Sequence, residues 1–174
     1  MNPAVVTAWR LIGYENRRLA HQDFADDTKD AGEIGAGLSV TALYEIVPVG
    51  VPYDGPSVGE RRYEKVAEAA SGFAGELMFL KLRYKAPDGD VSRLLQAPVD
   101  DAVTPWTGAT NDFRWAAAVA AFAELLRGSE HLGGFDLAGV KQVAWGARGD
   151  DPKGRRAEFL ELVDRAARLR DEPR

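Results

Sequence analysis

The sequence contains no cysteine, and this absence excludes several kinds of chemistry at once. A chain without thiols has no disulfide framework, no thiolate nucleophile and no cysteine-ligated zinc, although it fits an oxidising or a reducing compartment equally well. Histidine is almost as scarce, because His21 and His131 are the two imidazoles of the whole chain. Neither belongs to a metal-ligand pair or lies near a nucleophile elbow, so we expect both to be structural or exposed. The sequence therefore predicts no catalytic residue, no cofactor and no enzymatic activity.

Long apolar runs and an excess of basic residues are also missing. No stretch reaches the roughly 18 to 20 apolar residues that a membrane span needs, and the N-terminus lacks the pattern of a secretory signal. The 27 acidic residues outnumber the 22 basic ones and give a net charge of −5, whereas nucleic-acid-binding domains are usually basic. We therefore expect a soluble chain that does not bind nucleic acid.

Two strand patterns occupy the start of the chain, with polar and glycine-rich sequence between them. The strands are predicted over residues 5–14 and from Leu38 to about Gly50, where apolar and polar residues alternate with a period of two. Between them lie the acidic segment DFADDTKD (residues 23–30) and the block DAGEIGAG (residues 30–37). The glycine spacing of that block is the reverse of a dinucleotide-binding fingerprint and no helix follows, so the glycines are expected to allow a bulge or tight entry into the second strand.

A hairpin is predicted in the middle of the chain. Residues 76–85 alternate between large apolar and basic side chains, and the Pro-Asp-Gly sequence that follows is typical of a turn. The return strand is expected over residues 91–97 near a sheet edge, with Pro98 closing it where no ladder donor is needed. A short helix is conceivable at about residues 60–70, upstream of the hairpin.

The periodicity becomes helical after Pro105 and Trp106, and three helices are predicted. Their end signals are Asn111 or Asp112 and Gly128 for the first, Asp136 and Gly149 for the second, and Asp151 with Pro152 for the start of the third. Their apolar stripes are Trp115, Val119, Phe122 and Leu126; Val140, Val143 and Ala144; and Phe159, Leu162, Val163, Ala166 and Leu169.

This order of elements predicts an α+β fold, because strands grouped before helices argue against alternating βαβ units. We expect an antiparallel, sandwich-like sheet from the N-terminal half packed with about three C-terminal helices. A single domain over residues 1–174 is preferred, with a β lobe at 1–100 and a helical lobe at 110–172, because each lobe alone would be small. Trp115 and Trp145 are predicted core residues, whereas Trp106, in the linker, is expected at an interface.

The acidic segment is a weak candidate for calcium binding. Asp26, Asp27 and Asp30 supply carboxylates within a short loop, as hard cations require. An EF-hand read from Asp26 fails, because Ala31 occupies the position of the required glycine and Gly37 that of the bidentate glutamate. A solvated acidic loop is the preferred interpretation.

Several short segments of the sequence resemble the C-terminal region of bacterial YfbK-type proteins. In those proteins a von Willebrand factor A domain precedes this region. The most specific are RLIGYENR (10–17), DAGEIGAG (30–37) and ALYEIVP (42–48), supported by KLRYKAPDGD (81–90). The resemblance implies a parent protein that is exported, often as a lipoprotein, with a metal-dependent adhesion site in its A domain. No DxSxS adhesion motif occurs in this sequence, so no magnesium site is carried over. A strand pattern so close to Met1 also suggests a segment of a longer chain.

Two hypotheses of function follow. The first is a non-catalytic accessory module that packs against, or positions, the upstream A domain and supports protein–protein interaction at the cell envelope. The alternative is an envelope enzyme or small-ligand domain with its site in a cleft between sheet and helices, lined by Tyr14, Glu15, Asn16 and Arg17. Polar residues after a strand more often make local contacts, so the first hypothesis is preferred.

Overall fold

A computed structural model describes residues 1–13, 23–24, 26–29, 34–35, 37–52, 73, 75–87, 89–132 and 134–171. The elements are β1 (Val6–Ile12), β2 (Leu43–Pro48), β3 (Glu76–Tyr84), β4 (Arg93–Asp100), α1 (Asn111–Arg127), α2 (Leu137–Gly146) and α3 (Arg155–Asp171). The chain divides into two compact units, Met1–Val103 and Thr104–Arg174, named here the strand unit and the helical unit. Strands in the first half and helices in the second confirm the predicted α+β class. The possible helix at residues 60–70 lies outside the described residues.

The first sheet pairs β1 with β2 in antiparallel orientation, as predicted. The second strand is shorter than expected, because its ladder begins at Leu43 and not near Leu38. Leu43 pairs with Ile12, the last residue of β1, and the next residue, Gly13, has a φ of +92°. Because β1 ends at Ile12, the described residues before Leu43 have no residue of β1 opposite them.

The second sheet is the predicted hairpin, with β3 and β4 antiparallel. The return strand is displaced from the prediction, because it begins at Arg93 and continues through Pro98, which pairs with Phe79, to Asp100. Alternate residues of an antiparallel strand direct their N–H groups away from the partner. A proline is tolerated at such a position, since β3 is the one strand that pairs with β4 among the described residues.

Asn2 connects the N-terminus to the second sheet. Its backbone N–H donates to the carbonyl of Leu77 over 2.9 Å, and its side-chain amide donates to the carbonyl of Glu76 over 2.7 Å. Both acceptors lie at the beginning of β3. The segment leading into β1 is therefore bonded to a strand 74 residues away in sequence.

The helix ends follow local capping chemistry. The first helix is capped by Thr110, whose hydroxyl accepts from the N–H of Phe113 over 3.2 Å, and not by the predicted Asn111 or Asp112. Gly128 ends this helix with a φ of +69°, as predicted. Asp136 caps α2 by accepting from Gly139 over 2.7 Å. None of the helices in the described part of the chain combines the length and the apolar composition that crossing a membrane requires.

The second helix ends earlier, and the third begins later, than the sequence indicates. The last residue of α2 is Gly146, three positions before Gly149, and α3 begins at Arg155. Asp151 still caps the third helix, because its carboxylate accepts from the N–H of Ala157 over 2.9 Å. Desolvation favours the protonated acid, but the hydrogen bonds from the first turn outweigh it and hold the pKa of Asp151 below its ordinary value.

Among the described residues, every buried hydrophobic side chain except that of Val6 belongs to the helical unit. The predicted stripes of α1 and α3 are wrong in part, since Val119, Leu126, Leu162 and Leu169 are exposed. The buried face of α1 instead carries Ala118 and Leu125, and a side chain as small as that of Ala118 allows a neighbouring helix to approach closely. The stripe of α2 is as predicted, with Val140 and Ala144 fully buried. The buried hydrophobic residues of this unit are Ala118, Leu125, Leu137, Val140, Ala144, Ala147, Leu160 and Val163.

Arg156 joins the three helices. Its guanidinium donates to the carbonyls of Ala147 and Arg148 over 3.1 and 2.9 Å, just beyond the end of α2. It also donates to Asp112 of α1 over 2.7 Å and lies 5.0 Å from the ring centroid of Trp115. The carbonyls left unpaired where α2 stops therefore have a cationic donor from α3.

Replacing Arg156 with methionine is expected to lower the free energy of unfolding by about 2 kcal/mol, because carbonyl groups that are part-buried lose a charged donor. The matched control is Arg165→Met on the exposed side of the same helix, for which we expect a change within about 0.5 kcal/mol. Urea denaturation followed by circular dichroism measures both. Equal midpoints for the two variants would contradict the assigned role of Arg156.

Candidate functional site

One face of the second sheet is apolar and lies at the surface. Leu82 of β3 and Leu95 of β4 are directly opposed in the ladder, and they are 52% and 54% exposed. Val6 is the one buried hydrophobic residue among the described residues of the strand unit. The second sheet therefore exposes large apolar side chains, and none of the residues of its two strands is buried. The residues of this apolar face are Met78, Leu80, Leu82, Tyr84, Leu95, Ala97 and Val99.

The first sheet has a similar surface. Trp9 pairs with Ile46 and Leu11 pairs with Tyr44, which places all four side chains on one face. The rings of Trp9 and Tyr44 are 6.0 Å apart, and Trp9 is 53% exposed. A two-stranded sheet alone is only marginally stable in water, and exposed apolar patches of this kind mark interaction surfaces. The sheet faces are therefore the candidate interaction surface of this chain.

The opposite face of the second sheet holds a polar cluster centred on Asp27. Arg83 donates to one carboxylate oxygen of Asp27 over 3.0 Å, and the backbone N–H of Ser92 donates to the other over 3.3 Å. The ammonium of Lys85 donates to the backbone carbonyl of Asp27 over 2.6 Å. Arg83 is held in place in turn by the hydroxyl of Ser92, which accepts from its Nε over 2.7 Å. These four residues are named the Asp27 clasp.

The clasp shifts the acidity of Asp27. Hydrogen bonds from the side chain and backbone of Ser92, with the charges of Arg83 and Lys85, hold the pKa of Asp27 below its ordinary value. The pKa of Asp26 is lowered by a separate set of bonds, from the hydroxyl and the backbone N–H of Thr28. A carboxyl of lowered pKa stabilises the fold above its unfolded pKa, and this stabilisation is lost as pH falls through the folded value.

Two of the three candidate calcium ligands, Asp26 and Asp27, form hydrogen bonds with other groups of the protein. Asp27 contacts Arg83 and Ser92, Asp26 contacts Thr28, and Asp30 lies outside the described residues. In the parts of the chain that are described, no three acidic or histidine side chains are grouped closely enough to hold a metal ion.

The remaining candidate residues are dispersed. The predicted cleft residues Tyr14, Glu15, Asn16 and Arg17 lie outside the described residues. Trp106 is 47% exposed and makes an edge contact with Phe113 at 6.2 Å between ring centroids. Trp115 packs against Phe159 at 5.2 Å, but Trp145 is 66% exposed, so its prediction as a core residue is wrong. It follows Ala144 directly on α2, and the fully buried Ala144 occupies the inward position.

Sequence reasoning missed the Asp27 clasp. Asp27 and Arg83 are 56 positions apart, and a pairing at that distance has no signature in a single sequence. One signal was present, because the alternation in β3 places Arg83 on the face opposite the apolar side chains. A carboxylate partner for such an arginine was a reasonable expectation, but its identity was not.

Comparison with known proteins identifies the family. Residues 1–169 match the family model described as "Uncharacterized protein YfbK, C-terminal". The chain belongs to this family. It is 40% identical over 171 residues to the protein of Escherichia coli (strain K12) described as "Uncharacterized protein YfbK". The match covers 98% of this chain but 29% of that relative, and no solved structure matches the chain. The family resemblance predicted from the sequence is confirmed.

Removing the hydroxyl of Ser92 tests the clasp directly. In Ser92→Ala we expect the pKa of Asp27 to rise toward its ordinary value of 3.8, because the carboxylate loses its largest source of stabilisation. The pKa of Asp26 serves as the internal control and is expected to stay lowered, since its hydrogen bonds come from Thr28. Carboxyl chemical shifts measured by NMR across an acid titration report both values. An unchanged Asp27 titration would show that the hydroxyl of Ser92 does not bond this carboxylate.

Proposed function

We propose that this domain is a non-catalytic accessory module, attached to a von Willebrand factor A domain in a bacterial cell-envelope protein, where it supports protein–protein interaction. The observation that supports it most is the apolar surface of the two sheets. Leu82, Leu95 and Trp9 are each about half exposed, in a unit whose described residues include one buried hydrophobic side chain. A surface of this composition is stabilised by burial against another polypeptide.

The helical unit explains how such a surface persists in a folded chain. Val140 and Val163 are almost completely buried, and Phe159 contacts the rings of both Trp115 and Phe122. The three helices therefore have a core of their own among the described residues. The strand unit is covalently attached to a region that contains this core.

The length of the relative is consistent with an attached module. This chain spans 29% of the E. coli protein that it matches, so the homologous region there is part of a much longer polypeptide. A domain tethered to its partner meets it at a high effective concentration. An apolar contact of modest area is then sufficient, because the association is intramolecular.

The experiment compares full-length family proteins with and without this region. Deletion is expected to lower the thermal midpoint of the A domain, to reduce the capture of its envelope partners after cross-linking, or both. If neither the midpoint nor the capture changes, the accessory role is wrong. Turnover of a small molecule by the isolated domain would instead favour the alternative of an envelope enzyme.

Substitutions on the second sheet identify the surface involved. Burial of the exposed half of a leucine contributes about 1 kcal/mol, so Leu82→Ser with Leu95→Ser is expected to weaken the contact about 30-fold. Val103→Ser is the matched control, because Val103 is 87% exposed and lies beyond the end of β4. The effect is measured as the affinity of the separately produced domain for the A domain. Equal affinities for the double variant and the control would exclude the apolar face as the contact.

A further inference from the structure

We propose that the Asp27 clasp is a carboxylate-binding site occupied by the chain's own aspartate, and that an acidic segment of a partner protein binds there in place of Asp27. This inference rests on the proposed function, because it names the class of partner that the strand unit recognises. It concerns the face of the second sheet that carries Arg83, and the opposite face, with Leu82 and Leu95, is not part of it.

The binding groups all belong to the β3–β4 hairpin. Arg83 and the backbone N–H of Ser92 donate hydrogen bonds to different oxygens of the carboxylate, over 3.0 and 3.3 Å. The guanidinium is oriented by a bond to the hydroxyl of Ser92 that does not involve Asp27. The hairpin therefore preorganises the donors, and the carboxylate comes from a segment more than 50 residues away. Preorganised donors of this kind reduce the entropic cost of binding a carboxylate.

The occupant is partly open to solvent. The side chains of Arg83 and Asp27 are both partly exposed, at 24% and 34%. Apart from its bonds to the hairpin, the described part of the acidic segment makes only local bonds, as from Thr28 to Asp26. A partly exposed ion pair contributes little to stability, so exchange of one carboxylate for another costs the fold little.

The surrounding charges define the ligand further. Lys81 and Arg83 alternate along β3 and lie on the same face with a spacing of about 7 Å, and Lys85 follows just beyond the end of the strand. Phe79 and Leu94 are the exposed apolar side chains on this face. Lys85 bonds the backbone carbonyl of Asp27, so a ligand with a peptide backbone makes a contact there that a single small acid does not. The site therefore fits an acidic polypeptide segment better than a single small acid.

The test supplies the segment in trans. In Asp27→Ala the donors lose their internal carboxylate, and a fluorescent peptide of sequence DFADDTKD is expected to bind with an affinity that falls as salt is raised. The wild-type chain is expected to bind the peptide at least about tenfold more weakly, because its tethered segment competes at a millimolar effective concentration. A peptide with asparagine in place of the second of the two adjacent aspartates is expected to lose this binding. Fluorescence anisotropy measures all three affinities.

Matched variants separate a binding site from a purely structural bond. Asp26→Ala leaves the clasp intact and is expected to behave as wild type, whereas Asp27→Ala combined with Arg83→Gln is expected to lose the peptide. Circular dichroism establishes that each variant is folded, and Asp27→Asn replaces Asp27→Ala if the latter is not. Absence of peptide binding to a folded Asp27 variant, or equal binding when Arg83 is also replaced, would overturn the inference. That outcome leaves the full-length deletion experiment unaffected, so failure of this inference is distinguishable from failure of the proposed function.

Discussion

A sheet of two strands has two faces and no interior, and this constraint governs the architecture of the chain. Each sheet places large apolar side chains, such as Trp9 and Leu82, where the described residues leave them about half exposed. The three helices, unlike the sheets, enclose a core. Leu125 of α1 and Val140 of α2 are buried in one cluster with Val163 of α3. Hydrophobic burial therefore accounts for the helical unit within the described residues, whereas the sheet faces are proposed to be buried against another polypeptide.

In the strand unit, hydrogen bonds and ion pairs determine which segments contact β3, because few hydrophobic side chains are buried there. Asn2 bonds to the start of β3, and Asp27 bonds to Arg83 and Ser92 near its end, so both ends of the same strand are connected to distant parts of the chain. Such bonds contribute little net free energy where water competes. Their directionality instead specifies which segments meet, and it places the Asp27 clasp on the face of the hairpin opposite Leu82 and Leu95.

Much of the fold followed from local patterns. Alternation predicted the β3–β4 hairpin, and capping chemistry predicted the start of α2 at Asp136 and the end of α1 at Gly128. Local patterns failed where a tertiary partner decides the outcome. Leu126 fits the apolar stripe of α1 as well as Leu125 does, but the buried face of α1 carries Ala118 and Leu125. The clasp was equally hidden, because it depends on a contact between segments 56 residues apart.

Hydrogen exchange tests most directly whether the sheet faces depend on a partner polypeptide. The exchange of backbone amides is compared between this chain alone and the same region within a full-length family protein. We predict that amides of β3 and β4 exchange much more slowly in the full-length protein, while those of α2 exchange at the same rate in both. Equal protection of β3 and β4 in the two proteins would contradict the account, because it would show that the sheet faces gain nothing from the remainder of the chain.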